Sequence, residues 1–188
     1  FRHDAGPTVI TAPFLFEELF ALFNEKFSDH VRLVPLTPWY RFAFRDGSRF
    51  DYGGTLEQTL AEIRRIEPRD VEGYLALLRH SQRIFDVGFT QLSAQPFHRL
   101  WTMLRQIPSL LRLRSHETVW QMVSRFLCSP KLRRAFSIQP LLVGGNPFDT
   151  TSIYGLIHYL ERAYGVHFAM GGTGAITRAL EDLMRRQG

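Results

Sequence analysis

The spacing of its backbone breakers is what most limits this chain. Gly6-Pro7, Asp46-Gly47, Pro68, Pro96, Pro108, Pro130, Gly144-Gly145-Asn146-Pro147, Gly165 and Gly171-Gly172-Thr173-Gly174 divide its 188 residues into short pieces. Proline removes a donor and clashes with a continuing helix, and glycine and asparagine favour turns, so each of these points interrupts regular structure. A set of short elements packed together is the expected outcome. There is no internal repeat and no low-complexity tract.

Between the breakers, apolar periodicity assigns the elements. Asp4-Ala5-Gly6-Pro7-Thr8 reads as a tight loop, after which Thr11 is placed to cap a helix carrying Phe16, Leu19, Phe20 and Phe23 on one face. Residues 31–36 read as extended. Tyr40-Arg41-Phe42-Ala43-Phe44 and Arg49-Phe50-Asp51-Tyr52 flank Asp46-Gly47, which signals a hairpin. Thr55-Leu56-Glu57-Gln58 is a capping box opening a helix to about Ile66.

Beyond Pro68, Asp70 is expected to cap a helix reaching about Leu92, with Leu75, Leu78, Phe85 and Phe89 along one face. Pro96, Pro108 and Pro130 then split the following stretch into short helices, with Ser115 and Ser129 as N-caps and Pro130 at the favoured first position. A helix over residues 152–163 carries Ile153, Leu156, Ile157 and Leu160 and ends at Gly165. Val166-His167-Phe168 reads as extended, and a final amphipathic helix covers residues 175–186. The expected class is α+β, mostly helical with a small antiparallel sheet.

Composition excludes several chemistries. An apolar share of 45% is ordinary for a globular core, and sixteen Phe within 13% aromatics suit either such a core or a wide apolar groove. A single cysteine, Cys128, rules out an intrachain disulfide and a multi-cysteine zinc site. The seven histidines show no H-E-x-x-H or other tight ligand spacing, so no metal is expected. No signal peptide is evident, and no apolar run reaches the roughly 18 residues of a membrane span. A cytoplasmic protein is expected, soluble or bound to a membrane surface. The chain opens on Phe1-Arg2-His3-Asp4 without an initiator Met and closes on Gln187-Gly188, so both ends are expected to be cuts inside a longer chain.

The net charge of +5 is concentrated. Between Phe97 and Arg134 stand eight cations (Arg99, Arg105, Arg112, Arg114, Arg125, Lys131, Arg133, Arg134) and one carboxylate, Glu117, for a net of +7. The remainder of the chain is therefore −2. Trp101, Leu104, Leu111, Trp120 and further apolar residues interleave with these cations. Such a stretch can dock on anionic lipid, pack as an ordinary amphipathic helix, or neutralise nucleic-acid phosphate. Composition leaves all three open.

Site chemistry is sparse. The glycine loop 171–174 lies between a short strand and a helix, where backbone N–H groups can meet an anion or a cofactor edge. It does not meet the dinucleotide fingerprint: from Gly172 it reads G-T-G-A-I-T, with Thr177 in the last place. No G-x-S-x-G or similar signature surrounds any Ser or His, and turn formation accounts for Asp4 and Asp149. No catalytic residue is nominated.

Three stretches taken together are more specific. They are Phe1-Arg2-His3-Asp4-Ala5-Gly6-Pro7-Thr8-Val9-Ile10-Thr11, Leu141-Leu142-Val143-Gly144-Gly145-Asn146-Pro147-Phe148, and Ser152-Ile153-Tyr154-Gly155-Leu156-Ile157 running on to Tyr164-Gly165-Val166-His167-Phe168-Ala169-Met170-Gly171-Gly172-Thr173-Gly174-Ala175. With Pro68-Arg69-Asp70-Val71-Glu72-Gly73-Tyr74 between them, the chain resembles the bacterial-type phytoene desaturases essentially end to end, least in the basic stretch.

The resemblance implies a two-domain flavoprotein of the amine-oxidase-like kind, with a substrate domain inserted into a split Rossmann-type FAD domain. Residues 1–13 would be the edge of the FAD domain, 14–165 the substrate domain with its basic helical part at 97–134, and 166–188 the return to the FAD domain. Asp4, Gly6, Pro7 and Thr8 would lie near the flavin, and Gly171, Gly172, Thr173 and Gly174 would also approach it. The chain would lack the pyrophosphate fingerprint and the last flavin segment, so alone it is expected neither to hold FAD tightly nor to turn over.

The implied substrate is phytoene or a related carotenoid. A lipid-dissolved hydrocarbon favours docking on an anionic membrane surface over nucleic-acid binding, with Trp101, Leu104, Arg105, Leu111, Arg112, Arg114 and Trp120 as contacts and a location peripheral to the inner membrane. Alternatives are a desaturase, oxygenase or ketolase for another carotenoid, or a non-catalytic helical membrane-binding module.

Overall fold

A computed structural model describes residues 8–91 and 113–187, with side chains at 89–91 outside the description. The described residues form a mostly helical α+β fold with two small antiparallel sheets.

The chain begins with helix α1 (Pro13–Ala21) and a 3-10 turn (Phe27–Asp29), followed by strand β1 (Leu33–Pro35). Thr11 does not cap α1. Ala12 holds that position without a side-chain cap, and Pro13 starts the helix, where its missing N–H costs nothing. Of the expected face only Phe20 is fully buried; Leu19 and Phe23 are exposed. Phe20 and Phe16 both pack on Phe27, at ring separations of 5.3 and 5.0 Å.

The hairpin forms as expected from β2 (Tyr40–Ala43) and β3 (Arg49–Tyr52), pairing Tyr40 with Tyr52 and Phe42 with Phe50. Asp46 Oδ1 accepts hydrogen bonds from Ser48 N and Oγ at 3.1 and 2.7 Å, which closes the turn. Helix α2 (Leu56–Ile66) opens on the expected capping box: Gln58 N donates to Thr55 Oγ1 at 3.2 Å and Thr55 N to Gln58 Oε1 at 2.8 Å.

Helix α3 (Asp70–Phe85) passes into a π-helical turn (Asp86–Gln91). Asp70 is its first residue, not its cap, and its carboxylate faces elsewhere: Oδ1 and Oδ2 accept from Cys128 N at 2.6 Å and Ser129 N at 2.8 Å. The buried face of α3 is Tyr74, Leu77, Ser81, Ile84 and Phe85, one position away from the expected Leu75 and Leu78.

Helix α4 (Val119–Phe126) is capped by Thr118 in a second capping box with Gln121, so Ser115 is not its cap. The Ser115 carbonyl instead accepts from Thr151 Oγ1 at 2.6 Å. Helix α5 (Pro130–Ala135) has Ser129 at its N-cap and Pro130 in its first turn; the Ser129 side chain makes no cap bond, and Asp70 takes the amides there. A 3-10 turn (Gln139–Val143) precedes the glycine-proline break. A second one (Ser152–Gly155) runs into helix α6 (Leu156–Tyr164), which Gly165 ends at φ 76°. Strand β4 (His167–Ala169) and helix α7 (Thr173–Gln187) complete the fold.

Two cores result. The larger one joins the hairpin, α2, α3, α4, α5 and the start of α6 around Phe50, Tyr52, Tyr74, Met122, Leu132 and Phe136. The smaller one joins α1, β1, β4 and α7 through Phe20, Phe27, Val31, Ala169, Ile176 and Leu183. Strand β4 pairs with β1 (Leu33 opposite Ala169) on one side, and His167 exchanges two 2.8 Å backbone bonds with Ile10 on the other. This second sheet, which unites the two ends of the described chain, is absent from the expected pattern of one small sheet.

Candidate functional site

The expected cofactor-facing residues divide across the description. Asp4, Gly6 and Pro7 lie outside the described residues. Thr8 is exposed, two residues before the Ile10–His167 bridge, and the glycine turn begins four residues after His167. The bridge therefore brings Thr8 and the 171–174 turn to the same strand, β4.

The turn suits close approach by a ligand. Gly171 and Gly172 hold φ values of 87° and 77°, which L side chains rarely adopt. A Cβ on Gly174 would press on Arg178 Nη1 at 3.3 Å, and one on Gly171 would touch Arg178 Nη2 at 4.0 Å. The guanidinium thus lies along a backbone-only surface at the start of a fifteen-residue helix. First-turn amides of a helix have no intrahelical acceptor, and the helix dipole adds positive potential there. Gly172 N and Ala175 N already donate to the Ala169 and Gly172 carbonyls, so what the turn offers the polar edge or anionic part of a large cofactor is bare backbone surface with an adjacent arginine. No pyrophosphate-binding fingerprint accompanies them.

Of the expected membrane contacts, Trp101, Leu104, Arg105, Leu111 and Arg112 lie outside the described residues. Arg114 is exposed and pairs with Glu117 at 3.0 Å. Arg125 reaches the same carboxylate at 2.8 Å and His80 Nε2 at 3.4 Å. Burial, and next the Arg125 charge, depress His80 to about 4. Trp120 is half-buried and packs on Phe148 at 5.0 Å. Leu141, Val143 and Phe148 are 61, 61 and 57% exposed, which apolar periodicity does not indicate. The signal was present in Gly144-Gly145-Asn146-Pro147: a turn that tight holds its apolar neighbours out of the core.

A third constellation was not read from the sequence at all. Helix α6 carries His158, Glu161 and Arg162 into the larger core. Glu161 is fully buried and accepts from the Tyr40 hydroxyl at 2.8 Å. Arg162 donates to the Gly54 carbonyl at 2.7 Å and Thr59 Oγ1 at 2.9 Å, and its guanidinium covers the Trp39 ring at 4.4 Å. Burial pushes Glu161 up to about 7, against the pull of the Tyr40 hydrogen bond and the Arg162 charge. Burial also raises Tyr52 well above the usual phenol range and lowers His158 to about 4. The period-3.6 pattern cannot reveal such a cluster, because polar residues on a buried face look like a face exposed to water.

Among the described residues no three His, Cys, Asp or Glu side chains gather to hold a metal, and no helix is long and apolar enough to cross a membrane.

No family model matches the chain. Curated proteins match it over its whole length. It is 48% identical to a lycopene-forming phytoene desaturase of Pseudescherichia vulneris, over 97% of this chain and 37% of that protein. The lycopene-forming phytoene desaturase of Pantoea ananas is 44% identical over 100% of this chain and 38% of its own length. The neurosporene-forming phytoene desaturase of Cereibacter sphaeroides is 35% identical, over 100% and 36%. The chain thus spans little more than a third of the relatives it matches.

Proposed function

The chain is similar along its whole length to bacterial phytoene desaturases, and from that we propose that it is the substrate-side part of an FAD-dependent carotenoid desaturase. The observation that carries this reading is the end-to-end identity of 44–48% with proteins named for one activity. The meeting of Ile10 and His167, which gathers Thr8 and the 171–174 turn at one strand, supports it independently.

When bound, a flavin would supply hydride acceptance while the neighbouring substrate carbon loses a proton. The part of this chain is to bind, orient and exclude water. Thr8 and Gly171–Gly174, with Asp4, Gly6 and Pro7, would form the wall toward the cofactor, and Arg178 would offer positive charge beside it. The split Rossmann-type domain and the boundaries at 13 and 165 belong to this proposal, as does phytoene itself. The test is product analysis: cells that supply phytoene and express the longer protein should accumulate desaturated carotenoid. Accumulation of unchanged phytoene, or an oxygenated product from another carotenoid, would replace the reading. Without the flanking flavin segments, the 188-residue chain should purify free of stoichiometric flavin absorbance.

We also propose a location at the cytoplasmic membrane surface. Leu141, Val143 and Phe148 are exposed apolar residues, Phe148 packs on Trp120, and Arg114 is exposed; residues of these kinds partition at a headgroup boundary. Vesicle co-sedimentation checks it: binding should require anionic lipid, weaken with salt and fall on Arg114→Glu. Indifference to all three defeats the membrane reading and leaves the desaturase reading untouched.

A further inference from the structure

Four aromatic rings link elements of the two cores while belonging to neither core. Phe14 of α1 meets Tyr164, at the end of α6, with ring centroids 4.5 Å apart. Tyr164 meets Phe85, the last residue of α3, at 6.4 Å, and Phe85 meets Tyr159 of α6 at 5.2 Å. Helix α1 is part of the smaller core, and α3 and α6 are part of the larger, so this file of rings spans their junction.

The backbone sets where the file lies. Phe14 follows Ile10 by four residues, Tyr164 precedes His167 by three, and Ile10 and His167 exchange two backbone bonds. One end of the file therefore stands next to β4, the strand that leads into the 171–174 turn. The other stands at the close of α3, where the helix passes into the π-helical turn Asp86–Gln91. Turns of that kind occur frequently at functional sites.

Helix α6 separates two chemistries. Its polar side chains are engaged with the larger core, Glu161 at Tyr40 and Arg162 at Gly54 and Thr59. Tyr159 and Tyr164 turn their rings to Phe85 and Phe14 instead. Phe85 is buried behind them, Phe14 and Tyr159 are half-buried, and Tyr164 is 39% exposed. The file is thus most open at Tyr164, close to β4.

A hydrocarbon gives a protein no donor, acceptor or charge to hold, and the polar groups that usually orient a ligand have nothing to act on. Its placement depends on rigid apolar surface. Rings braced by neighbouring rings supply such a surface, and each gains by the apolar area it removes from water.

We propose that Phe14, Tyr159 and Tyr164 are positioning residues for a long hydrocarbon chain, with Phe85 bracing them from behind, and that they lay that chain alongside β4. The chain is the carotenoid substrate of the desaturase reading, on which this assignment rests.

The longer protein, purified with its flavin and supplied with phytoene in vesicles, tests the assignment. Tyr164→Leu and Tyr159→Leu keep an apolar side chain but remove the flat ring. Each should raise KM for phytoene at least about tenfold, the level at which apolar pockets discriminate. Unchanged kcat, flavin absorbance per chain and melting temperature should accompany that rise, which marks lost substrate binding rather than lost structure. Tyr164→Phe and Tyr159→Phe should keep the wild-type KM, because the ring and not the hydroxyl makes the contact. Phe14→Leu supplies the same reading if the tyrosine variants do not fold.

An unchanged KM in the leucine variants would overturn the proposal. So would flavin and melting temperature falling in step with activity, which would make the rings fasteners between the cores and nothing more. Wild-type protein that leaves phytoene unchanged removes the desaturase reading itself, whereas a working wild type with indifferent variants removes this assignment alone.

Discussion

The two cores differ in the chemistry they bury. The larger one joins the hairpin, α2, α3, α4, α5 and α6 through contacts both near and far in sequence, such as the Asp51–Glu62 and Tyr40–Glu161 hydrogen bonds, 11 and 121 positions apart. The smaller one is closed by β1 and β4, which pair Leu33 with Ala169 across most of the chain. The larger core also buries a carboxyl, a histidine and two tyrosine hydroxyls, while the smaller is lined by Phe, Val, Ile, Leu and Ala. Its polar contacts lie at the rim, as in the Arg186–Glu25 pair at 2.6 Å. The contrast is one of chemistry rather than of contact range: both cores are closed by partners distant in sequence, and the larger one offsets the burial of polar groups with hydrogen bonds and ring contacts.

Mutations can break this comparison. The largest expected effect is at Phe136, which meets Phe50, Tyr52, Tyr74 and His158 at ring separations of 5.0–5.7 Å. Phe136→Ala should cost about 3–5 kcal/mol in denaturant unfolding, since it leaves a cavity where hairpin, α3 and α6 meet. A loss under 1 kcal/mol (on the order of a surface change) would mean that this ring is not the hub.

A smaller effect is expected at Asp70, which links α3 to the start of α5 through two amides. Asp70→Ala should cost about 1.5–3 kcal/mol, as charge-assisted hydrogen bonds do when buried donors lose their acceptor. Faster amide exchange at Cys128 and Ser129 would locate the damage. Arg186→Ala, at the exposed rim of the smaller core, should leave the unfolding midpoint unchanged, because solvent-exposed pairs contribute little. A clear drop there would show that the end-to-end closure depends on its rim charges.

Parts of the site and fold were legible for a local reason. The Asp46-Gly47 hairpin and the Thr55–Gln58 capping box are decided within about four residues, and both stand as expected. Thr118–Gln121 has the same form, and Thr118 rather than the expected Ser115 caps α4. Asp70 misled because an acidic residue before an apolar helix looks like a cap, whereas its acceptors serve a helix entry nearly sixty residues later. The resemblance to phytoene desaturases was legible in three separated motifs, and whole-length identity to proteins of that name agrees with it.

The sequence by itself determined the short helices, the hairpin turn, the glycine loop and the concentration of positive charge in residues 97–134. These follow from backbone preference and from counting. Which distant segments meet was settled only on folding: Ile10 meets His167, β1 pairs with β4, and the buried Glu161 accepts from Tyr40. Those outcomes depend on which surfaces meet in space, and no residue's own propensity records its distant partner.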